Sequence, residues 1–187
     1  MTGVQTCALP ICDIADNDCS VLATSALKGA LLATGAEDVT YVNAPHLAEE
    51  KGMTSTVSTT TESPEYRSMI TLRAAFPNGK FVDIHGTLMG IKKVEKIILI
   101  DSFDLDLPPT DHMLLLRYTD RPGIVGKVGQ SLGSTGINIA SMQVARDSQG
   151  GEALMAITVD STIPTGVVDQ VKKDTGADSV VSVSLVN

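Results

Sequence analysis

The sequence predicts an α+β protein of two successive units, each an antiparallel sheet accompanied by two helices. Over residues 111–187, strand-like alternation and helical spacing of apolar residues follow one another in the order βαββαβ. Over residues 13–108, alternating segments separated by turn residues accompany two helical segments. The two prolines of Leu107-Pro108-Pro109-Thr110 stiffen the connection between these regions, so we expect the domain boundary there.

In the first unit, helical spacing predicts a helix over Asp18–Thr34 and alternation predicts a short strand over Val39–Val42. Asn43 is expected to cap a second helix that has Pro45 in its first turn and ends at Gly52. Four further segments alternate like strands, with the hairpin signal Pro77-Asn78-Gly79 between two of them: Thr54–Thr61, Ser68–Ala75, Lys80–Leu88 and Val94–Ile100.

The second unit begins with Met113–Tyr118, an apolar segment that suits a buried strand. Asp120 is placed to cap the following helix, Pro122 falls near its first position, and Gly123 permits a close backbone approach. A second strand starts near Ile137. The remaining predicted elements are a strand over Glu152–Val159, a helix over Pro164–Lys173 and a strand over Val180–Val186.

Composition restricts the class of protein. The chain has 187 residues, 43% hydrophobic content and a mean hydropathy of +0.16, which is sufficient for packed cores. The net charge is −8 and no basic patch of the kind found in nucleic-acid binders is visible. No apolar run approaches the length of a membrane span. We therefore expect a cytoplasmic protein that engages neither nucleic acid nor a membrane.

The first residues of the chain have a composition unlike the rest. Met1–Ile11 matches no secondary-structure pattern and lacks the basic segment and apolar core of a signal peptide. A common sequencing-library adapter, read from a GTG start codon, translates to the same residues, and its last base would begin the Cys12 codon. We therefore interpret residues 1–12 as an artefactual, disordered N-terminus with upstream sequence missing. The alternative is a genuine flexible tail.

Cysteine and histidine usage offers no further chemistry. If Cys7 and Cys12 belong to this N-terminal segment, Cys19 alone remains, which argues against a disulfide framework and fits a reducing compartment. No histidine or acid near Cys19 forms a nucleophile signature, so a small buried residue is expected there. The three histidines show no metal-ligand spacing, and we predict no metal site.

The turn Asp120-Arg121-Pro122-Gly123, followed by the strand start Gly136-Ile137-Asn138-Ile139, resembles the corresponding segments of ACT domains. These are small amino-acid-sensing modules appended to many metabolic enzymes. The resemblance identifies residues 111–187 as a member of the ACT family and implies its ferredoxin-like βαββαβ fold.

The first unit resembles a second family. Val42-Asn43-Ala44-Pro45, followed by residues 47–52, is similar to the allosteric substrate-binding domain of long-form D-3-phosphoglycerate dehydrogenases. In those enzymes the domain directly precedes a C-terminal ACT domain, and the resemblance covers the chain after Cys12. Further similar segments are Asp13-Ile14-Ala15-Asp16, Glu62-Ser63-Pro64, Arg67-Ser68 and Gly86-Thr87-Leu88.

The resemblance implies a parent enzyme that uses NAD to oxidise 3-phosphoglycerate to 3-phosphohydroxypyruvate in serine biosynthesis. Its catalytic and dinucleotide-binding domains would lie upstream of this regulatory fragment. Gly123, Gly126 and Gly129 are spaced three apart inside a predicted helix and do not form the G-x-G-x-x-G fingerprint. We therefore expect no NAD binding and no catalytic residues in this chain.

Three residues match family positions that hold L-serine between two ACT domains: Tyr118, Asp120 and Asn138. The match implies a homo-oligomer. A carboxylate can bind the ammonium group of serine, an amide can bond both ammonium and carboxylate, and a phenol can bond the carboxylate or hydroxyl. The alternative roles are a helix cap for Asp120, a turn residue for Asn138 and an interface side chain for Tyr118.

A second, anionic effector site would need converging cations. Lys96 stands where relatives carry a basic residue, and Arg67 and Arg73 lie on nearby strands. However, Phe103 and Pro108 occupy positions where arginines are expected in some relatives, which weighs against such a site. The alternative is a solvated, lysine-rich strand edge that discourages aggregation.

Two other functions remain open from the sequence. One is the regulatory part of an iron–sulfur L-serine dehydratase, which joins a similar first domain to an ACT domain. The other is a stand-alone amino-acid-binding regulator. Clustered cysteines upstream or in a separate chain would favour the first, and a natural start codon near Asp13 the second.

Overall fold

The computed structural model describes residues 5–12, 18–60, 66, 68–76 and 78–185. Backbone contacts divide the chain into two compact units, residues 1–101 and 102–187. The described part contains helices and largely antiparallel sheets in both units, which confirms the predicted α+β class.

Two helices form the apolar core of the first unit. They are α1 (Ser20–Ala33) and α2 (Ala44–Glu50), close to the predicted bounds. The α1 helix is followed by Gly35 with a φ of 77°, a backbone conformation that glycine adopts without strain. Cys19 precedes α1 and is buried, as expected. The core of this helix pair consists of Leu27, Leu31, Val39, Ala44, Ala48 and Met53.

The strand predicted over Val39–Val42 is wrong, because the Asn43 side chain folds this segment into a turn. Asn43 Oδ1 accepts a hydrogen bond from the Thr40 backbone N–H at 2.7 Å, and its Nδ2 donates to the Asp38 carbonyl at 2.9 Å. Asn43 is the N-cap residue of α2, but its side chain makes no capping bond to the helix. Pro45 lies in the first turn, as predicted.

The strands of the first unit follow the order β2-β1-β3-β4-β5. The β1–β2 pair is parallel, and the β1–β3, β3–β4 and β4–β5 pairs are antiparallel, so the sheet is mixed rather than purely antiparallel. The β2 strand is shorter than predicted. The strand bounds are β1 (Gln5–Cys12), β2 (Thr54–Val57), β3 (Ser68–Ala75), β4 (Phe81–Met89), β5 (Val94–Ile100) and β6 (Phe103–Leu107).

The prediction that residues 1–12 are disordered is wrong for Gln5–Cys12, which forms β1 between β2 and β3. Thr6 and Ala8 of β1 are buried, and α1 contacts β1. Pro10 lies beyond residues 5–8, the part of β1 that pairs with β2, and is paired with Ile70 of β3. The interpretation of this segment as translated adapter stays a prediction.

The second unit has the predicted βαββαβ order. Its sheet order is β10-β7-β9-β8, and every neighbouring pair is antiparallel. The elements are β7 (His112–Thr119), α3 (Ile124–Ser134), β8 (Ile139–Arg146), β9 (Glu152–Val159), α4 (Thr165–Thr175) and β10 (Ser179–Ser184).

Cross-strand register assigns the two faces of this second sheet. Leu114, Leu116 and Tyr118 of β7 pair with Ile157, Met155 and Ala153 of β9, and all six belong to one apolar cluster. The same cluster includes residues from α3 and α4, so this is the helix-covered face: Val128, Leu132 and Val171. Side chains at the alternate positions therefore point to the opposite face.

The opposite face is covered by β6. Phe103 and Leu107 of β6 are buried, and β6 contacts β8 and β9. The guanidinium of Arg117 lies 5.5 Å from the centre of the Phe103 ring. The division between the units therefore falls before β6, earlier than the boundary expected at residues 107–110.

Polar contacts also tie β6 to β8. The Asp106 backbone N–H donates to Gln143 Oε1 at 2.9 Å, and Gln143 Nε2 donates to the Asp106 carbonyl. One amide side chain thus satisfies both backbone groups of a residue in the neighbouring segment.

Candidate functional site

The turn between β7 and α3 positions Asp120 differently from the sequence prediction. Helix α3 begins at Ile124, and its N-cap is Gly123, whose φ of 90° lies in the left-handed region. Asp120 therefore stands too far before the helix to cap it, and α3 has no side-chain cap. The Asp120 backbone N–H instead donates to the Gly151 carbonyl at 2.8 Å, which joins this turn to the β8–β9 turn.

The carboxylate of Asp120 pairs with Arg146, the last residue of β8. Arg146 Nη1 lies 3.1 Å from Asp120 Oδ2. The Asp120 side chain is 20% exposed and that of Arg146 is 58% exposed. A pair with this exposure contributes at most about 1 kcal/mol to folding stability. Its two charged groups remain within reach of a ligand.

Tyr118 lies next to this ion pair, at the end of β7. Ala153 of β9 pairs with both Tyr118 and Arg146, so the three residues form one row across the helix-covered face. Tyr118 is 3% exposed. Burial, and secondarily the nearby Asp120 carboxylate, raise the pKa of the Tyr118 phenol, whereas Arg146 acts in the opposite direction. The phenol therefore keeps its proton at neutral pH and can act as a donor.

Arg146 is the residue that the sequence prediction missed. It follows an alternating strand and precedes the turn at residues 147–151, a position that in sequence indicates only a solvated strand end. Its proximity to Asp120 depends on the register of β8 against β9, which pairs Arg146 with Ala153. That register is a tertiary property, so the sequence pattern carried no direct signal.

Asn138 lies at the opposite end of the β8–β9 pair from Arg146, just before β8 begins. Its Nδ2 donates to Asp160 Oδ2 at 2.6 Å, just after β9 ends at Val159. Asp120 lies near the start of β9, because the preceding residue, Thr119, pairs with Glu152, the first residue of β9. A strand of this length spans about 23 Å, at ~3.3 Å per residue. One copy of the chain therefore brings Tyr118 and Asp120 together but leaves Asn138 far from both.

Of the residues predicted for an anionic site, Arg73 and Lys96 lie apart within the described part of the chain. Arg73 Nε donates to Asp83 Oδ2 at 3.2 Å, and this contact raises the Arg73 pKa. Lys96 is opposite Thr87, four residues along β4 from Asp83, or about 13 Å at ~3.3 Å per residue. Arg67 lies outside the described residues. The charge of Arg73 is thus already matched by a buried carboxylate, and the second effector site stays a prediction.

The described residues 5–12, 18–60, 66, 68–76 and 78–185 offer no group of three or more His, Cys, Asp or Glu side chains that could hold a metal ion. Among the helices within these ranges, none has the length and apolar character required to span a bilayer.

Two family models match the chain, one in each unit. Residues 11–101 match the D-3-phosphoglycerate dehydrogenase intervening domain, and residues 112–176 match the ACT domain. The chain contains a phosphoglycerate dehydrogenase intervening domain followed by an ACT domain. The first match ends at the residue where the backbone contacts divide, and the second covers the βαββαβ unit up to the end of α4.

Relatives of this intervening and ACT pair are D-3-phosphoglycerate dehydrogenases. The Mycobacterium leprae enzyme is 37% identical over 174 residues, which cover 92% of this chain and 33% of the relative. The Synechocystis enzyme is 34% identical over 88% of this chain and 29% of its own length. The Bacillus subtilis enzyme is 30% identical over 93% of this chain and 32% of its own length. The chain thus spans about a third of the length of the curated relatives it matches.

The ACT domain therefore presents two polar groups at the two ends of β8. The first group combines a carboxylate, a guanidinium and a protonated phenol, from Asp120, Arg146 and Tyr118. The second group is the amide–carboxylate pair of Asn138 and Asp160. Together these side chains can donate to a carboxylate and accept from an ammonium group, the two functions that an amino acid carries.

Proposed function

We propose that this chain is the regulatory part of a D-3-phosphoglycerate dehydrogenase and that its ACT domain binds L-serine as a feedback effector. The order of the two matched domains and the names of the relatives support the first part. The parent enzyme would act in the cytoplasm and oxidise 3-phosphoglycerate with NAD, the first step of serine synthesis. We assign neither NAD binding nor catalysis to this chain.

The observation that carries the serine proposal is that the predicted effector residues lie at opposite ends of the sheet, Tyr118 and Asp120 at the end where β8 finishes and Asn138 at the end where β8 begins. This strand is at the edge of its sheet, with Asn138 before its start and Arg146 at its end. A two-fold axis that pairs β8 antiparallel with β8 of a second copy brings the start of one strand beside the end of the other. Asn138 of the partner copy then lies beside Arg146, at the same end of the joined sheet as Tyr118 and Asp120.

This arrangement makes each effector site depend on two chains. A homodimer would contain two equivalent sites, each with Asp120 from one copy and Asn138 from the other. Serine would stabilise the paired state because only that state offers a complete site. In a larger enzyme, a preference of this kind couples effector binding to the arrangement of subunits.

The intervening domain favours this proposal over a dehydratase subunit or a stand-alone regulator. Its match is to the domain of phosphoglycerate dehydrogenases, and the relatives at 37%, 34% and 30% identity carry that enzyme's name.

Calorimetric titration of the whole chain with L-serine, combined with a molar-mass measurement in solution, tests the proposal. We expect saturable binding of one serine per chain and a dimer or a larger oligomer. Asp120→Ala and Asn138→Ala should each weaken binding at least tenfold. The matched control Asp169→Asn, on the exposed side of α4, should bind as the original chain does. A monomer, or serine binding unchanged in both site variants, would contradict the proposal.

A further inference from the structure

The charges around the candidate effector site are unbalanced without Arg146. Asp120 and, across the proposed two-fold axis, Asp160 contribute two carboxylates, whereas Tyr118 and Asn138 are neutral. Two carboxylates beside one another repel a third. An effector that carries its own carboxylate therefore needs a cation at this site.

Two other cations near the β7–α3 turn, Arg121 and Lys127, contact a different part of the domain. Arg121 Nη2 donates to the Thr175 carbonyl, and Lys127 Nζ donates to the Asp174 carbonyl at 2.9 Å. Both contacts lie at the end of α4, away from β8. Arg146 differs because its guanidinium lies beside Asp120 itself.

Resting on the proposed function, we propose that Arg146 is the carboxylate-binding residue of the effector site and selects amino acids with a free carboxylate. The Asp120–Arg146 contact places opposite charges side by side at 3.1 Å. An α-amino acid also carries its two charges close together, on an ammonium group and a carboxylate bonded to the same α-carbon. Its ammonium group can pair with Asp120 while its carboxylate pairs with Arg146.

The geometry of the guanidinium permits both contacts at once. Arg146 reaches Asp120 through Nη1, which carries two of the five N–H donors of the planar guanidinium. Its side chain is 58% exposed, so a ligand can approach the guanidinium. A guanidinium binds a carboxylate through two parallel hydrogen bonds, whereas an ammonium group acts as a point charge. Lysine at position 146 would therefore be a partial substitute.

A simpler role is that Arg146 only neutralises Asp120 and holds the turn in place. The two roles differ in how the site treats a ligand without a carboxylate. If Arg146 binds the carboxylate, removing the guanidinium weakens binding of L-serine but not of L-serinamide, in which a neutral amide replaces the carboxylate. If Arg146 only orders Asp120, the affinities for both ligands fall by the same factor.

Calorimetry with these two ligands on the whole chain tests the inference. The original chain should bind L-serine about 10- to 100-fold more tightly than L-serinamide, the range for hydrogen bonds between charged groups. In Arg146→Gln, the two affinities should lie within about threefold of each other. Arg146→Lys should recover part of the preference, and Lys172→Gln, which removes an exposed cation of α4, should retain it fully.

The outcomes separate this inference from the proposed function. Unchanged discrimination between the ligands in Arg146→Gln, or equal losses for both, overturns the role of Arg146 while the serine site stands. Absence of serine binding in the original chain overturns the proposed function itself. Thermal unfolding checks that each variant is folded. If Arg146→Gln does not fold, the ratio of the two ligand affinities is measured in Arg146→Lys instead.

Discussion

Arg146 and Asp120 are 26 residues apart in sequence, yet Nη1 of the arginine lies 3.1 Å from Oδ2 of the aspartate. The contact joins the end of β8 to the turn after β7 across the intervening strand β9. It also changes the interpretation of Asp120, which does not cap α3 but forms one half of a charge pair beside the buried Tyr118.

A site shared between two copies predicts complementation between two inactive variants. Asp120→Ala and Asn138→Ala dimers should each bind serine poorly, because every site lacks one group. In a refolded equimolar mixture, half of the dimers combine both variants, and each has one intact site. We expect about a quarter of the original number of tight sites, counted by calorimetry. If the mixture binds no better than the separate variants, the site does not extend across two chains.

Gly123→Ala should destabilise the ACT domain by about 1–2 kcal/mol, because φ is 90° there and alanine is strained in the left-handed region. Gly126 is a matched control within α3. An added Cβ meets nothing within 4 Å at either glycine, so packing does not distinguish them. Gly126→Ala should stabilise by about 0.8–1 kcal/mol through helix propensity. Denaturant unfolding measures both changes in the free energy of unfolding. If both substitutions stabilise the domain, or both destabilise it, the left-handed conformation of Gly123 does not explain the difference.

The stability of the ACT domain should fall as pH rises above about 10. Burial raises the pKa of Tyr118 in the folded chain, so the unfolded phenol loses its proton first. Above the unfolded pKa the unfolded state binds fewer protons, and its ionisation favours unfolding. Tyr118→Phe should make the decline shallower, as measured by denaturant midpoints between pH 8 and 11. Tyr41→Phe, which removes an exposed phenol, should retain the original slope. Identical slopes in all three chains would show that the buried Tyr118 phenol does not cause the decline in stability.

A chain that begins at Asp13 should lose stability in its first unit, because β1 lies between β2 and β3. Its removal leaves β2 without its paired strand and exposes one edge of β3. Hydrogen exchange should show lower protection across Ser68–Ala75, while Glu152–Val159 in the ACT domain keeps its protection. Unchanged protection in β3 would show that β1 does not support the sheet.

Several elements were predictable because short-range patterns determine them. The predicted strands Ser68–Ala75, Val94–Ile100 and Glu152–Val159 agree with the structure at both ends. Each alternates or is continuously apolar, and turn residues bound it. The Val39–Val42 prediction was wrong although its residues favour strands, because a single polar side chain, Asn43, bonds the backbone into a turn.

The sequence by itself determined the βαββαβ order, the division into two domains and the family of each, because periodicity and local motifs are properties of neighbouring residues. Tertiary structure alone decided that β1 enters the first sheet and that β6 covers the second. It also decided that Arg146 meets Asp120 while Asn138 lies at the far end of β8. These relationships depend on strand order and register, which arise when distant segments bury their apolar faces together.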